Sequence, residues 1–303
     1  MKMANCFCRK PNKQTQDRAL SNFFSSASAK NSKGEIPSLD QVLSGTVSFE
    51  PWAAHTFLDF LRTELSEENL YFFEEIEVYK ALKGNGTTKL PPDNLRILPK
   101  TENDKLFVDE LVNTFVKENS PREVNISQTQ RSKILEEVRQ NSTEPEVFAE
   151  AQHEVRTMMR DSWPRFIKKA LTENISDKDR IFRLKQSFIG YSIWLLSLGL
   201  FLGFLVPRWY FFLLIIPIVH ANACFVTFKT KLCMENAAKG FRDIEGSVHA
   251  RVQINCPIVK MNNRKRARIN FAIVIGSAVV MTIASFALTY IVEACRGIGT
   301  LYG

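Results

Sequence analysis

Three polar side chains near the middle of the chain could act together on a partner, because they recur at intervals of four residues: Thr157, Asp161 and Arg165. On a helix this spacing stacks them along one edge, so a hydroxyl, a carboxylate and a guanidinium stand side by side. Together they can donate and accept hydrogen bonds. On spacing alone, the simpler interpretation is a surface ion pair between Asp161 and Arg165, with Ser162 as a local cap.

The helix that must position these side chains runs through EVFAEAQHEVRTMMRDSWPRF, residues 146–166. Its apolar residues recur every three or four positions and predict one buried stripe: Phe148, Ala151, Val155 and Met158. Pro164 should end or kink the helix, because it pushes Trp163 out of the helical region of backbone space. We therefore expect the polar set at a helix end, followed by a short last helix.

The segment AQHEVRTMMRDSWPRF resembles the closing signature of the regulator of G-protein signalling (RGS) family, in which an AQ pair precedes a DS-x-x-RF end. SEEN at 66–69 and EVN at 123–125 resemble two earlier motifs of that family, and all three stand in the family's order. Phe72 and Phe73 replace the family's usual FW, a change that we expect to affect packing only. The fold class implied by the resemblance is all-α, with an RGS-type helical bundle over residues 37–172.

The resemblance also implies a partner and a role. An RGS domain binds the GTP-bound α subunit (Gα) of a heterotrimeric G protein and accelerates GTP hydrolysis without a catalytic group of its own, because Gα holds its arginine in cis. The acceleration comes from tighter binding of the switch regions in the transition state. The residues that the motifs assign to Gα binding are Glu68, Asn69, Glu123, Asn125, Thr157, Asp161, Ser162 and Arg165.

Individual roles follow from the same resemblance. Asn125 would steady the Gα glutamine that orients water, while Glu68 and Asn69 would contact switch residues. Asp161 would accept a hydrogen bond, and Arg165 would hold Asp161 in place. Thr157 stands where the family often has leucine, which puts one apolar contact in doubt.

The remaining helices of the bundle are predicted from local signals. Two short helical segments follow Pro37, and further helices are expected at 104–117 and 132–139, with a long loop at 83–100. Ser66 can cap the SEEN helix. The buried stripe of that helix is predicted to contain Leu70, Phe73 and Ile76.

Bulk properties separate the chain into two parts. Its 303 residues carry a formal charge of +8, with 40 basic and 32 acidic side chains, and apolar residues concentrate in the last 120 positions. No glycine-rich phosphate loop, HExxH pair or nucleophile elbow occurs, so we expect no cofactor, no metal and no chemistry of the chain's own. Six cysteines without regular spacing indicate a reduced, cytosolic front half.

Residues 1–36 are polar and predicted to be a disordered tail. Cys6 and Cys8 stand beside Arg9 and Lys10, a combination that suits palmitoylation next to an anionic membrane. Two idle reduced thiols explain the pair equally well.

A linker at 173–187 leads into a predicted membrane domain at 188–303, with spans at 188–206, 209–228 and 271–292. The first two runs hold 19 and 20 uncharged residues, which is long enough to cross a bilayer. Two polar residues fall inside the second run, His220 and Asn222. They could mark a substrate path, but hydrogen bonding between helices is the preferred interpretation, because three spans without an acidic residue make a poor transporter.

The segment at 229–268 carries ten basic and three acidic residues, which predicts that it stays in the cytoplasm with the RGS domain and contacts anionic lipids of the inner leaflet. Within it, NRKRAR at 263–268 abuts a predicted span, so we interpret it as a membrane anchor rather than a nucleic-acid site. An RGS domain followed by three transmembrane helices resembles fungal proteins of bud-site selection. The alternative to GTPase activation is therefore a plasma-membrane landmark that uses the RGS fold to dock a polarity partner.

Overall fold

A computed structural model describes residues 35–84, 96–99, 103–204, 213–245 and 250–299. The described part is mostly helical, as the sequence predicted. Cys6, Cys8 and most of the predicted loop at 83–100 lie outside the described residues, so the lipidation hypothesis stays a prediction.

The first half of the chain forms a helical bundle. Its helices are α1 (Leu39–Leu43), α2 (Ala54–Thr63), α3 (Glu67–Leu82), α4 (Asp104–Leu111), α5 (Gln128–Arg139) and α6 (Ala149–Thr172). A π-helical turn at Val112–Val116 extends α4, and a 3-10 turn at Pro145–Phe148 leads into α6.

Aromatic rings from α2, α6 and the segment before α2 fill one end of the bundle core. The ring centroid of Phe57 lies 5.2 Å from those of both Trp163 and Phe166. Trp52 lies 6.0 Å from Phe166 and is fully buried. Burying a ring of this size contributes roughly 2–3 kcal/mol. This cluster therefore fixes the carboxyl-terminal half of α6 against α2.

The prediction that the helix ends at Pro164 is wrong, because α6 continues for two more turns to Thr172. Proline removes one backbone donor from the helix, which ordinarily disrupts it. Here the flanking Trp163 and Phe166 are buried at 7% and 2% exposure, and their packing holds the helix together through the proline. No separate last helix follows Pro164.

Two predicted stripes are shifted by one residue. Phe148, just before α6, and Ala151 and Val155 on α6 are buried as predicted. Met159 takes the fourth position, and Met158 is only partly buried. On α3, Leu70 and Ile76 are buried, whereas Phe73 is partly buried. The reason is that these helices contact neighbours on more than one side. A pattern with a single apolar stripe therefore does not predict all of their buried residues.

Helix starts were predicted with mixed success. The SEEN helix begins after Ser66, but the Ser66 side chain makes no capping bond to the helix and its Oγ lies 3.5 Å from the Leu61 carbonyl. The helix predicted at 132–139 begins earlier, at Gln128, because Ser127 and Gln130 form a capping box.

Glu74 on α3 provides a test of this core. Burial raises the pKa of its carboxyl to about 8, with Glu77 and Glu75 adding to the effect. Above pH 4.5 the unfolded chain releases this proton while the folded chain keeps it, so stability falls as pH rises towards 8. We expect Glu74→Gln to remove this decrease in folding stability with rising pH. Thermal unfolding curves of the two proteins should diverge between about pH 5 and pH 8, while the exposed control Glu146→Gln should parallel the parent.

The second half contains long apolar helices: α7 (Asp177–Phe204), α8 (Ile215–Thr230) and α10 (Pro257–Gly299). Among the described residues, one stretch is long and apolar enough to cross a membrane, Pro257–Val292 of α10. It includes the predicted span at 271–292. The other two predicted spans are not supported at full length, because both run into residues 205–212, which the structure does not describe.

Asn222 of α8 makes the helix-to-helix hydrogen bonds that the sequence predicted. Its amide oxygen accepts from the Tyr191 hydroxyl of α7 at 2.6 Å, and its amide nitrogen donates to Ser277 of α10 at 2.9 Å. His220 differs from the prediction, since its ring is exposed and lies 3.7 Å from the Cys224 sulfur on its own helix.

A docked segment, residues 231–245 and 250–262, lies between α8 and the apolar part of α10. It contains α9 (Met234–Lys239) and an antiparallel pair of short strands, β1 (Phe241–Asp243) and β2 (Arg251–Gln253), in which Arg242 faces Val252. A buried polar cluster ties it to the end of the bundle. The Asn174 amide donates to the Cys233 carbonyl at 3.0 Å, and the Asn236 amide donates to Asp243 at 2.8 Å.

Apolar contacts join the docked segment to the bundle core itself. Ile254, Cys256 and Val259 are at most 2% exposed and belong to the same core cluster as the rings of α2 and α6. Further along, the Asn262 amide donates to the Leu171 carbonyl at the end of α6 at 2.6 Å. The bundle core therefore extends to residues more than 80 positions beyond α6.

Charged contacts surround these apolar ones. Lys169 of α6 pairs with Glu245 at 3.2 Å, and Arg242 lies 3.7 Å from Glu50. Burial acts to raise the pKa of Glu50, but the hydrogen bonds from His55 and Thr56 outweigh it and the pKa is lowered. The Glu50 carboxylate is thus kept charged opposite Arg242.

Candidate functional site

The EVN turn holds Asn125 outward between two buried neighbours. Val124 and Ile126 are 0% and 6% exposed, whereas the Asn125 side chain is exposed. The Val124 N–H donates to the Phe115 carbonyl in the π turn at 2.9 Å. Both flanking residues are thereby fixed in the core, which presents a short amide to solvent from a defined backbone position.

Arg131 of α5 clamps the same turn from inside. It is 5% exposed, and its guanidinium donates to the Val116 and Val124 carbonyls. It also pairs with Glu123 at 2.8 Å, while Glu123 accepts from the Asn119 N–H at 2.8 Å. Glu123, predicted as a contact residue, is therefore engaged in shaping the turn. Because the two terminal nitrogens of this buried guanidinium bind two carbonyls and a carboxylate, Arg131 holds the turn against α5.

Arg122 connects the EVN turn to the SEEN helix. Its guanidinium lies over the Tyr71 ring, 4.6 Å from the centroid, and the Tyr71 hydroxyl accepts from Arg62 at 2.8 Å. Glu68, one turn before Tyr71, is half-buried. Burial raises the pKa of the Glu68 carboxyl, with Glu67 adding to the rise and Arg122 opposing it. The two motifs thus lie against each other.

Arg165 connects α6 to the turn between α2 and α3. Its guanidinium donates to both Glu64 carboxylate oxygens, at 2.6 and 2.9 Å, and to the Ser162 hydroxyl at 3.1 Å. The hydrogen bond from Arg165 lowers the pKa of Glu64. The predicted side-chain pair between Arg165 and Asp161 is wrong, since Arg165 reaches only the Asp161 backbone carbonyl, at 3.1 Å. A partner 101 residues away offers the bidentate geometry that guanidinium prefers.

The other candidates divide into exposed and supporting groups. Asp161 and Thr157 are exposed on α6, and within the described residues no cation pairs with the Asp161 carboxylate. Ser162 and Asn69 are buried at 6% and 5% exposure, so each offers a partner little surface. The Ser162 hydroxyl instead accepts a hydrogen bond from Arg165.

The structure thus assembles the three motifs around the α2–α3 turn. The SEEN helix begins at this turn, and Arg165 of α6 binds Glu64 within it. Arg62, just before the turn, donates to Tyr71, whose ring contacts Arg122. Sequence reasoning missed Arg131, Glu64 and Arg122, whose roles depend on partners distant in the chain. Within the described residues, no cluster of three or more His, Cys, Asp or Glu side chains could hold a metal ion.

Comparison with known proteins identifies the bundle. Residues 44–174 match the family described as the regulator of G protein signaling domain. These residues are an RGS domain. The resemblance of the SEEN, EVN and DS-x-x-RF motifs to this family is confirmed.

Relatives of the RGS domain include animal proteins. Regulator of G-protein signaling 20 of Homo sapiens is 30% identical over 154 residues, 47% of this chain and 34% of the human protein. Regulator of G-protein signaling 8 of Rattus norvegicus is 37% identical over 115 residues, 37% of this chain and 53% of the rat protein. Regulator of G-protein signaling 8 of Danio rerio is 27% identical over 184 residues, 58% of this chain and 94% of the fish protein. The chain spans about a third of the human relative's length, and these relatives do not support the fungal bud-site resemblance.

Proposed function

We propose that the chain is a membrane-anchored GTPase-activating protein for a Gα subunit. The observation that carries the proposal is the exposed Asn125 amide on a turn clamped by Arg131, next to the SEEN helix and the Arg165–Glu64 pair. A rigid polar surface suits an accelerator that works by binding the transition state more tightly than the ground state. The test is a single-turnover GTPase assay of the full chain against candidate Gα subunits.

In this mechanism the chain positions the switch regions of Gα and contributes no catalytic group. Asn125 hydrogen-bonds the Gα glutamine that orients the attacking water, and the exposed Asp161 carboxylate accepts from a switch-region donor. Glu68 adds a half-buried acid at the same surface. Because the turn and helix ends are held before Gα arrives, little conformational entropy is lost on binding. The switch regions are stabilised in the arrangement that they reach during hydrolysis.

Arg165→Ala is expected to reduce both activity and stability. The variant loses the bidentate contact to Glu64, which joins α6 to the α2–α3 turn, and the exposed pair accounts for about 1 kcal/mol or less of stability. Acceleration should fall several-fold, because the turn that leads into SEEN is no longer held. Calorimetry and GTPase assays measure the two effects. Arg160→Ala, an exposed arginine on the same helix, serves as the control, and equal losses in both variants would refute the role of the Glu64 contact.

Membrane placement is supported by the surface of the apolar helices. Large apolar side chains point outward on α7 and α10, including Phe188 at 65%, Leu196 at 69% and Val280 at 65% exposure. A soluble protein rarely leaves such a continuous apolar surface uncovered. We propose that three spans cross the membrane, with the RGS domain and the docked segment on one side, since the two are packed together.

The proposed orientation predicts a labelling pattern. A cysteine at position 250, in the docked segment, should resist an impermeant maleimide in intact cells and react after permeabilisation, because the basic excess keeps this side in the cytoplasm. A cysteine at position 300 should react in both conditions. The reversed pattern would invert the topology.

A landmark that only docks a polarity partner is the alternative outcome. Such a scaffold would bind Gα or a membrane partner without changing the rate of GTP hydrolysis. A rate unchanged by the purified chain, with binding intact, would favour it.

A further inference from the structure

A groove between α9 and α10 lies outside the RGS surface. Its cavity volume is about 500 Å³, and it is lined by Met234, Ala238, Arg264, Ala267, Arg268 and Phe271. It opens where α10 passes from the docked segment into its uncharged stretch, which begins at Phe271.

The groove carries two available cations. Arg264 and Arg268 are one helical turn apart and exposed, and neither pairs with a carboxylate within the described residues. Arg266 between them points elsewhere and donates to the Thr172 and Thr230 carbonyls. The nearby acid, Glu235, is already paired with Lys239 at 2.8 Å and lies 3.7 Å from Arg251. Adjacent guanidinium groups of this kind bind phosphate oxygens.

The remaining walls are apolar. Met234, Ala267 and Phe271 line the groove, and the exposed Ile275 lies one turn beyond Phe271 on the same face of α10. A free phosphate would gain nothing from this half of the groove. A phospholipid would place its phosphate on the arginines and its first acyl carbons along the apolar wall, where headgroup and hydrocarbon meet.

We propose that the groove between α9 and α10 is a binding site for one anionic phospholipid. The proposal rests on the proposed membrane placement of α10 and deepens it by naming a discrete lipid site. It assigns Arg264 and Arg268 to the headgroup and Met234, Ala238 and Phe271 to the glycerol and acyl region. Generic attraction of basic residues to a charged leaflet would need no groove.

The test uses the full chain in phosphatidylcholine nanodiscs containing phosphatidylserine with a photoreactive acyl chain. After irradiation, mass spectrometry should find lipid attached to residues of α9 and to the region around Phe271. Unlabelled phosphatidylserine should compete, whereas phosphatidylcholine and soluble phosphoserine should not. Competition by phosphoserine would instead indicate a site for a soluble anion and overturn the lipid assignment.

Two kinds of variant distinguish lipid binding in the groove from the general attraction of basic residues to anionic lipids. Arg264→Gln with Arg268→Gln should lower crosslinking in the groove about tenfold or more. Lys229→Gln with Lys265→Gln removes the same charge from exposed positions outside the groove and should preserve crosslinking. Ala238→Trp fills the groove without a charge change and should block it. Equal loss in the lysine control, or persistence in both groove variants, would refute the site.

The outcomes also distinguish this proposal from the others. If the chain fails to enter nanodiscs, the membrane placement fails and the lipid site falls with it. If the chain enters but no lipid attaches in the groove, only the lipid site is wrong. Acceleration of GTP hydrolysis is measured separately and does not depend on either result.

Discussion

Replacing Asn125 with alanine should lower the acceleration of Gα GTP hydrolysis by about tenfold or more, because a lost positioning hydrogen bond to the reacting assembly costs about 1.4 kcal/mol or more. The loss should appear in affinity for the transition-state mimic of Gα more than in affinity for the GTP-bound ground state. Single-turnover hydrolysis and binding titrations measure both quantities.

Folding should survive that substitution. The Asn125 side chain is exposed, and its backbone position is set by the buried Val124 and Ile126, so the free energy of unfolding should change by less than about 0.5 kcal/mol. Asn113→Ala, an exposed asparagine in the π turn, is the matched control and should retain full acceleration. Unchanged acceleration and mimic affinity in Asn125→Ala would defeat the proposed role and favour the scaffold function.

Val259→Asp should destabilise the RGS domain by about 3–5 kcal/mol, although the residue lies far outside the family match. Val259 is fully buried in the bundle core beside Ile254 and Cys256, so a carboxylate there loses both apolar contact and hydration. Hydrogen exchange of α6 in the full chain reports the change directly. It avoids tryptophan signals from the proposed membrane region.

The matched control for this substitution is Met261→Asp. Met261 lies half a turn away on α10 and is 67% exposed, so the same carboxylate should leave exchange in α6 unaltered. If Val259→Asp also left exchange unaltered, the docked segment would contribute nothing to the domain's stability.

Much of the bundle was predictable because its signals are local. The SEEN, EVN and DS-x-x-RF motifs and the helical periodicity lie within short windows of sequence. Pro164 was misread because a local rule about proline was overridden by packing of Trp163 and Phe166. The Arg165–Glu64 pair joins residues 101 positions apart, which no spacing rule reveals.

The packing of the docked segment against the bundle was not predictable from the sequence. The ten basic residues at 229–268 predicted a cytoplasmic segment that contacts anionic lipids. The three core residues of the docked segment are too few and too irregularly spaced to form a visible stripe. Their burial depends on a surface that only the folded bundle provides. Polar residues such as Asn174 and Asn236 gave no sequence signal either, since their partners lie across elements.

The continuity of α10 has a mechanical consequence. Its 43 residues form one helix, roughly 65 Å long at 1.5 Å per residue. The first turn lies in the bundle core, and the stretch at 271–292 is uncharged. If α10 crosses a membrane as proposed, a flexible connection would let the RGS domain sample every orientation above the bilayer. A continuous helix allows only the orientations that its bending permits. A Gα subunit on the same membrane surface would then meet an RGS domain whose orientation is already restricted. Binding would therefore cost less rotational entropy. Inserting a glycine-rich hinge into this helix would replace the rigid connection with a flexible one and would leave every proposed Gα contact unchanged.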